Sequence, residues 1–298
     1  MITSMYKLIT LIAISMLTQS QRSKSGKVVT LKELKREFEP YSGLILDLDG
    51  VIWVGERPIA EALEAVKKLR TLGKKMLFVT NNSTRSRRDY EKRLRDLGLE
   101  VDINEIMNSG YATALLLKER YGGGRTYVVG EKGLVEELEG QGLQVISREE
   151  CWDNGADFVV VGMDRGFNYW KIATAMRAIR QGALFIATNA DKTFPSEKGL
   201  LPGAGTMVAA ISTASGKKPD IIVGKPNAHI FEIALKKMNL RREEVLVIGD
   251  RIDTDIEGAY KAGIKSLLIL TGVTSREEVE KSEIKPNFIL NSMKELFL

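Results

Sequence analysis

From Gly43 onward the chain alternates between short apolar runs and longer stretches whose apolar residues recur at helical spacing. The short runs predict buried strands, and the longer stretches predict amphipathic helices. Strands are predicted at Gly43–Leu48, Lys75–Thr80, Ile106–Ser109, Arg125–Val129, Gln144–Ile146 and Phe158–Val161. Four more follow at Leu184–Ala187, Ile221–Val223, Val245–Ile248 and Leu267–Leu270. Helices are predicted at Ile59–Leu72, Thr84–Leu97, Ala112–Tyr121, Leu134–Glu139, Tyr169–Arg180, Thr206–Ser215, Ala228–Met238 and Ile256–Ala262. Strand and helix in alternation mean parallel sheets of the α/β class. The strands are too many for one ordinary sheet. Two α/β units, one inserted into the other, fit the 298 residues.

Residues 1–40 stand outside this pattern. Leu8–Leu17 is apolar except for Thr10 and Ser15, too short to span a bilayer, which takes about 20 residues. It is similar to the apolar part of a signal peptide, but a single lysine precedes it and no Ala-x-Ala site follows. An N-terminal extension and a start at Met16 are the competing readings. The expectation is a cytoplasmic protein. A polar lead-in follows, with a short helix at Leu31–Phe38.

Composition narrows the chemistry. The single cysteine, Cys151, and single histidine, His229, exclude disulfide frameworks and metal sites built from several of either. Asp157 stands where a cysteine phosphatase needs arginine, six positions after its nucleophile. Catalysis must therefore lean on carboxylates, lysine and hydroxyls. The net charge of +5 is spread along the chain, which argues against a nucleic-acid stripe and favours small anionic substrates. The densest basic run, Arg85–Arg95, carries acid–base pairs at helical spacing, Asp89–Arg93 and Glu91–Arg95, as a solvated helix face does.

Two words carry most information: GLILDLDGV and VLVIGDRIDTDIEGA. Each is an apolar strand ending in carboxylates, and open parallel sheets bind ligands at such ends. Asp47 and Asp49 project to one side of their strand. If Asp250 ends a neighbouring strand, three carboxylates converge, and hard oxygen ligands favour Mg²⁺. A calcium loop fails, because its sixth and twelfth positions fall on Ile52 and Pro58, or on Gly258 and Ile264. FVTNNS ends another strand with Thr80, Asn81 and Asn82, which suit an anionic oxygen. Asn82, Ser83 or Thr84 could equally be a helix cap. VGKPNAHIF supplies Lys225, either a neutraliser of phosphate or a solvated loop lysine. Gly203-Ala204-Gly205 reads as a helix start, since Val208 breaks the dinucleotide fingerprint. His229 reads as packed or solvated, Asp253 as solvated, and Trp152 and Trp170 as core.

The order strand-DxDG, strand-TNN, strand-GKP, strand-GDxxxTD resembles the haloacid dehalogenase (HAD)-like superfamily, subfamily IIA, the NagD-like and p-nitrophenylphosphatase-like phosphatases. YVVGEKGL, VVVGMDRGFNYWK, FIATNADKTFP and LPGAGT are similar to words of that group's cap, and the likeness covers Tyr41 to about Ser275. The resemblance implies a doubly wound, Rossmann-like core, residues 41–121 and 220–298, with an α/β cap at 122–219 inserted between. Gly122–Gly124 and Gly216–Pro219 would join the two. Asp47 would be the nucleophile that forms an aspartyl-phosphate, and Asp49 the general acid and then base. Thr80, the Asn81 amide and Lys225 would hold the phosphate. Asp47, the Asp49 carbonyl and Asp250 would bind Mg²⁺, with Asp255 behind them. The expected activity is Mg-dependent hydrolysis of small phosphorylated metabolites: phosphoglycolate, glycerol phosphate, sugar phosphates or nucleoside monophosphates, with p-nitrophenyl phosphate as surrogate. The expected partners exclude nucleic acid and membrane and include a second copy of the chain. The rival readings are a phosphotransferase on the same core and a non-catalytic metal- or phosphate-binding protein.

Overall fold

The computed structural model describes residues 33–196 and 199–298. The segment 8–17 and most of the lead-in lie outside them. Leu34 pairs with Phe297 in an isolated bridge, and the sheets and the site lie in the unit Lys35–Leu296. No helix among the described residues is long and apolar enough to cross a membrane.

Two parallel sheets carry the architecture. The first has six strands in the order β15 (Phe288–Leu290), β14 (Lys265–Ile269), β13 (Val245–Gly249), β1 (Gly43–Leu46), β4 (Lys75–Thr80), β5 (Ile106–Asn108). The order reverses direction at β1, which lies between β13 and β4 with Leu46 level with Ile248 and Phe78. The second has five strands in the order β12 (Ile221–Ile222), β9 (Leu184–Ala187), β8 (Phe158–Val161), β6 (Arg125–Val129), β7 (Gln144–Ile146). Both β1 and β8 are buried along their whole length. Strands covered on both faces must read as unbroken apolar runs, which is why GLIL and FVVV were legible as strands. Each fully buried aliphatic side chain contributes about 1.5–3 kcal/mol.

One apolar cluster runs across both sheets. Ile45, Leu77 and Val79 of the first join Phe158, Val160 and Ile186 of the second. Helix Ser109–Tyr121 links them through Ala112, Leu116 and Leu117. Gly122, at φ +75°, closes that helix in the left-handed conformation, so the glycine run begins as a helix cap.

Several expectations change here. Ile221–Ile222, read with the second part of the core, pairs with β9 in the five-stranded sheet. Trp152 and Trp170 are exposed, stacking edge to face at 6.4 Å. Helix Tyr169–Arg180 buries Thr174, Ala175, Ala178 and Ile179, while Trp170 in its first turn stays exposed. The start of helix Arg87–Asp96 is capped by Ser86 in a capping box with Asp89. Asn82, Ser83 and Thr84 are thus not its cap. Asp89 is spent there, and Arg93 instead stacks on Trp53, 4.0 Å from the ring centre. The Glu91–Arg95 pair forms at 2.8 Å. Of the helix expected at Leu31–Phe38, the described residues show a 3-10 turn at Arg36–Phe38.

Candidate active site

Residues at the carboxyl ends of β1, β4 and β13 share one cleft of about 200 Å³. Asp47 follows β1 directly, and its N–H continues the ladder to the Ile248 carbonyl at 2.9 Å. Thr80 is the last residue of β4, and Asp250 follows β13. The reversal of strand order at β1 opens the crevice in which these ends meet.

Asp47, Asp250 and Asp255 are buried, and one carboxylate oxygen from each lies within 4.8 Å of the others. Lys225 is the cation among them. Its Nζ donates to Asp47 Oδ1 at 2.5 Å, to Asp255 Oδ1 at 2.6 Å and to the Val79 carbonyl at 3.3 Å. Burial alone would lower the Lys225 pKa, but Asp255 and Asp47 together raise it, so the ammonium is held charged. Burial pushes the Asp47 carboxyl well above the usual range, against the pull of Lys225. Burial, helped by the Asp255 charge, pushes Asp250 up to about 7. Three acids around one lysine leave the cluster short of positive charge.

Asp250 shows where a cation fits. Its Oδ2 accepts from the Val273 N–H at 2.7 Å, while its buried Oδ1 has no hydrogen-bond partner. Buried polar atoms are nearly always satisfied, so an orphaned carboxylate oxygen beside two further carboxylates suits a hard divalent ion. A Cβ at Gly50 or at Gly272 would collide with this carboxylate. Gly50 is also left-handed at φ +83°, so glycine there meets both demands. One oxygen of Asp255 lies within 4.8 Å of oxygens of Asp47 and Asp250, and both of its oxygens accept hydrogen bonds, from Lys225 Nζ and from the Arg251 N–H. Asp255 is delivered by a π-helical turn, Ile252–Ile256, an element frequent at functional sites.

Asp49 lines the same cleft. Its Oδ1 accepts from Trp53 Nε1 at 3.0 Å, and burial raises its pKa against that bond and the Arg93 charge. Trp53 belongs to a hairpin, β2 (Trp53–Val54) with β3 (Arg57–Pro58), which the sequence pattern did not reveal. Asp253 faces solvent and pairs with Arg251 at 2.7 Å, as expected. His229 is outside the cleft, 3.9 Å from Glu232.

Thr80 and Asn81 line the cleft beside Asp47. Thr80 Oγ1 accepts from the Asn82 N–H at 3.1 Å, and Asn82 Oδ1 accepts from the Thr84 N–H at 3.0 Å, so Asn82 is a turn residue. The Asn81 side chain has a different occupation. Its Oδ1 accepts from the Lys225 N–H at 2.8 Å, and its Nδ2 donates to the Lys225 carbonyl at 2.9 Å. Nδ2 also reaches both oxygens of Asp191, at 3.1 and 3.0 Å. Asn189 Nδ2 donates to the Asn81 carbonyl at 2.8 Å. Asn189 and Asp191 lie in FIATNADKTFP, to which the sequence pattern alone gives no role in the site. The rule that found Asp47, a carboxylate just past a buried strand, applied to β9 would have marked Asp191.

Comparison with known proteins agrees with this geometry. The haloacid dehalogenase-like hydrolase profile matches residues 44–144, and a HAD-hydrolase-like profile matches 222–296. The chain is 36% identical over 258 residues to the 5'-nucleotidase YutF of Bacillus subtilis, covering 87% of this chain and 98% of that one. It superposes with a TM-score of 0.80 on a p-nitrophenyl phosphatase from Archaeoglobus fulgidus, at 42% identity, covering 85% of this chain and 97% of that one. A glycerol phosphate phosphatase from Mycobacterium tuberculosis, solved in complex with magnesium, gives 0.81 at 36% identity, covering 89% and 79%. With the strand ends, the acid cluster and the lysine already in place, these likenesses settle the assignment: the chain belongs to the haloacid dehalogenase-like hydrolases, among the NagD-like and p-nitrophenylphosphatase-like phosphatases.

Proposed function

We propose that this phosphatase hydrolyses small phosphate monoesters in two in-line steps, with Asp47 as nucleophile. One observation carries the reading: Asp47, Asp250 and Asp255 bring carboxylate oxygens within 4.8 Å of one another, Lys225 bonds to Asp47 and Asp255, and Asp49 lines the same cleft. In the first step an Asp47 oxygen bonds to phosphorus, the bond to the leaving oxygen breaks, and Asp49 gives that oxygen its proton. In the second, Asp49 takes a proton from water, the water oxygen bonds to phosphorus, and inorganic phosphate leaves with Asp47 restored. A carboxylate nucleophile needs no activating histidine, only positive charge to screen its repulsion from the dianion. Lys225 supplies part of that charge, and Thr80 with the Asn81 N–H orients the phosphoryl oxygens.

The donor set suits Mg²⁺. Asp47, Asp250 and the Asp49 carbonyl would hold it, with Asp255 alongside; once bound it supplies electrostatic stabilisation at the phosphoryl oxygens. The working division is a core of 41–121 and 220–298 with 122–219 as cap, except that strand Ile221–Ile222 belongs with the cap sheet. The small cleft and the relatives named for a nucleotide, a nitrophenyl ester and glycerol phosphate support a small metabolite as substrate. A cytoplasmic setting belongs to the same proposal.

The test is phosphate release from p-nitrophenyl phosphate, phosphoglycolate, glycerol phosphate and a nucleoside monophosphate, with and without Mg²⁺. Asp47→Asn should lower turnover at least about 10³-fold, as loss of a nucleophile does. Substantial turnover by the pure variant would sink the nucleophile assignment. A phosphoprotein hydrolysed faster than every small ester would sink the substrate class.

A further inference from the structure

Lys225 must hold its ammonium between two buried carboxylates, yet it does not sit on the sheet that carries them. It follows β12, the edge strand of the five-stranded sheet. The ladder beyond β12 runs on for two rungs: Val223 N–H donates to the Ala187 carbonyl at 3.1 Å and Gly224 N–H to the Thr188 carbonyl at 2.8 Å. At the next rung no strand is present. The Asn81 side chain takes its place, because a primary amide offers the same acceptor and donor as a peptide group. Oδ1 meets the Lys225 N–H and Nδ2 meets the Lys225 carbonyl.

An amide can play this part in one orientation only. Rotated by half a turn, Nδ2 would face the Lys225 N–H and Oδ1 its carbonyl, two donors and two acceptors opposed. What selects the right orientation is the second N–H of Nδ2, which points at the Asp191 carboxylate. A carboxylate accepts and does not donate, so it admits only the nitrogen. Asp191 is itself anchored. Its N–H donates to Asn189 Oδ1 at 3.1 Å, and its carbonyl accepts from the Gly205 N–H at 2.9 Å. A Cβ at Gly203 would collide with that carbonyl, which accounts for glycine there.

We infer that Asp191 is a positioning residue: it fixes the orientation of the Asn81 amide, and through it the backbone that delivers Lys225 to Asp47 and Asp255. The inference rests on the phosphatase reading. It also makes the end of β9 part of the catalytic assembly without contact to the reacting atoms. In this role Asp191 acts as an acceptor and its charge is secondary.

The test compares wild type, Asp191→Ala and Asp191→Asn on p-nitrophenyl phosphate with Mg²⁺, alongside thermal melting. Asp191→Ala should lower kcat about tenfold or more, as removal of an outer partner does. Its KM and melting temperature should stay near those of wild type. Asp191→Asn keeps an acceptor oxygen for Asn81 and should recover most of the lost kcat. Four results would overturn the inference: an unchanged kcat in Asp191→Ala; a raised KM at constant kcat, which would mean direct contact with substrate; an asparagine variant as slow as the alanine; or melting that falls in step with kcat. No turnover by wild type on any ester would be a different failure, that of the phosphatase reading itself.

Discussion

At the ends of β1 and β13, Asp47 and Asp250 lie with Asp255 around one lysine, and one oxygen of Asp250 has no partner. Past the ends of β6 and β8, by contrast, each carboxylate has its own cation. Glu131 receives Arg165 Nε at 2.7 Å and Nη2 at 2.5 Å, and Asp164 receives Lys171 Nζ at 2.5 Å. The shifts run in opposite directions. The Arg165 hydrogen bond lowers Glu131, whereas burial raises Asp47 and Asp250. Two sheets of the same parallel type thus use strand-end carboxylates differently. In one, acids are crowded beyond what their lysine can neutralise, which favours binding a cation and a reactive phosphate. In the other, those past β6 and β8 are paired off and hold loops, while Asp191 past β9 is held by the Asn81 amide. Electrostatic tension retained in a folded chain marks chemistry, and tension relieved marks structure.

The largest effect should come from removing charge at the crowded end. Asp250→Asn should lower kcat/KM at least about 100-fold, since even outer partners of a metal cost 10–100-fold. Chelation with EDTA should abolish activity in wild type and Mg²⁺ should restore it. The melting temperature of the metal-free variant should hold or rise, because one of three mutually repelling carboxylates is gone. A variant that loses activity and stability together would erase the contrast between the two sheets.

A smaller effect is expected where the cleft is shaped rather than charged. Gly272→Ala places a methyl group against the Asp250 carboxylate. The Mg²⁺ concentration giving half-maximal activity should rise about tenfold, with a modest fall in melting as the buried carboxylate shifts. Gly50→Ala meets the same carboxylate but adds the strain of φ +83°, so it should lower melting further. Equal effects on metal affinity and melting in both variants would show that room around Asp250, and not backbone strain, is what matters.

The paired end predicts the reverse pattern. Lys171→Met leaves the buried Asp164 without its cation. The cost should be about 1–3 kcal/mol, since Lys171 is partly exposed and solvent screens the pair. Melting should drop by several degrees while kcat stays within about twofold. A large loss of activity without a loss of stability would place Asp164 in the chemistry.

The same contrast explains what could be read from the sequence. Buried parallel strands are apolar runs with sharp ends, so Lys75–Thr80, Arg125–Val129 and Phe158–Val161 were placed to the residue. Carboxylates just beyond such runs are conspicuous, which made Asp47, Asp49 and Asp250 legible. The hairpin Trp53–Pro58 and the pair β10 (Thr193–Ser196) and β11 (Gly199–Pro202) were not, because short antiparallel strands in loops carry no long alternation. Asp191 was missed for a further reason. Its role depends on Asn81 arriving from another sheet, and no local pattern encodes which amide a distant strand end will meet.

The smallest effect concerns Cys151, and it separates burial from function. Cys151 belongs to the apolar cluster of the five-stranded sheet, with Val129, Val159 and Phe185. Burial pushes its thiol up to about 11. The direction matches that of Asp47, so a raised pKa does not by itself distinguish the two regions. What Asp47 has and Cys151 lacks is a cluster of acids around a shared lysine, opening on a cleft. At pH 8 the native protein should therefore hold Cys151 as the neutral thiol, which is not the nucleophilic form. Alkylation by iodoacetamide should be slow at that pH and should accelerate as pH rises toward 11. Urea should release it, since the unfolded thiol ionises near about 8.5. Phosphatase activity should not change over the native labelling period. Fast labelling of native protein with loss of turnover would put Cys151 at the cleft and undo the distinction.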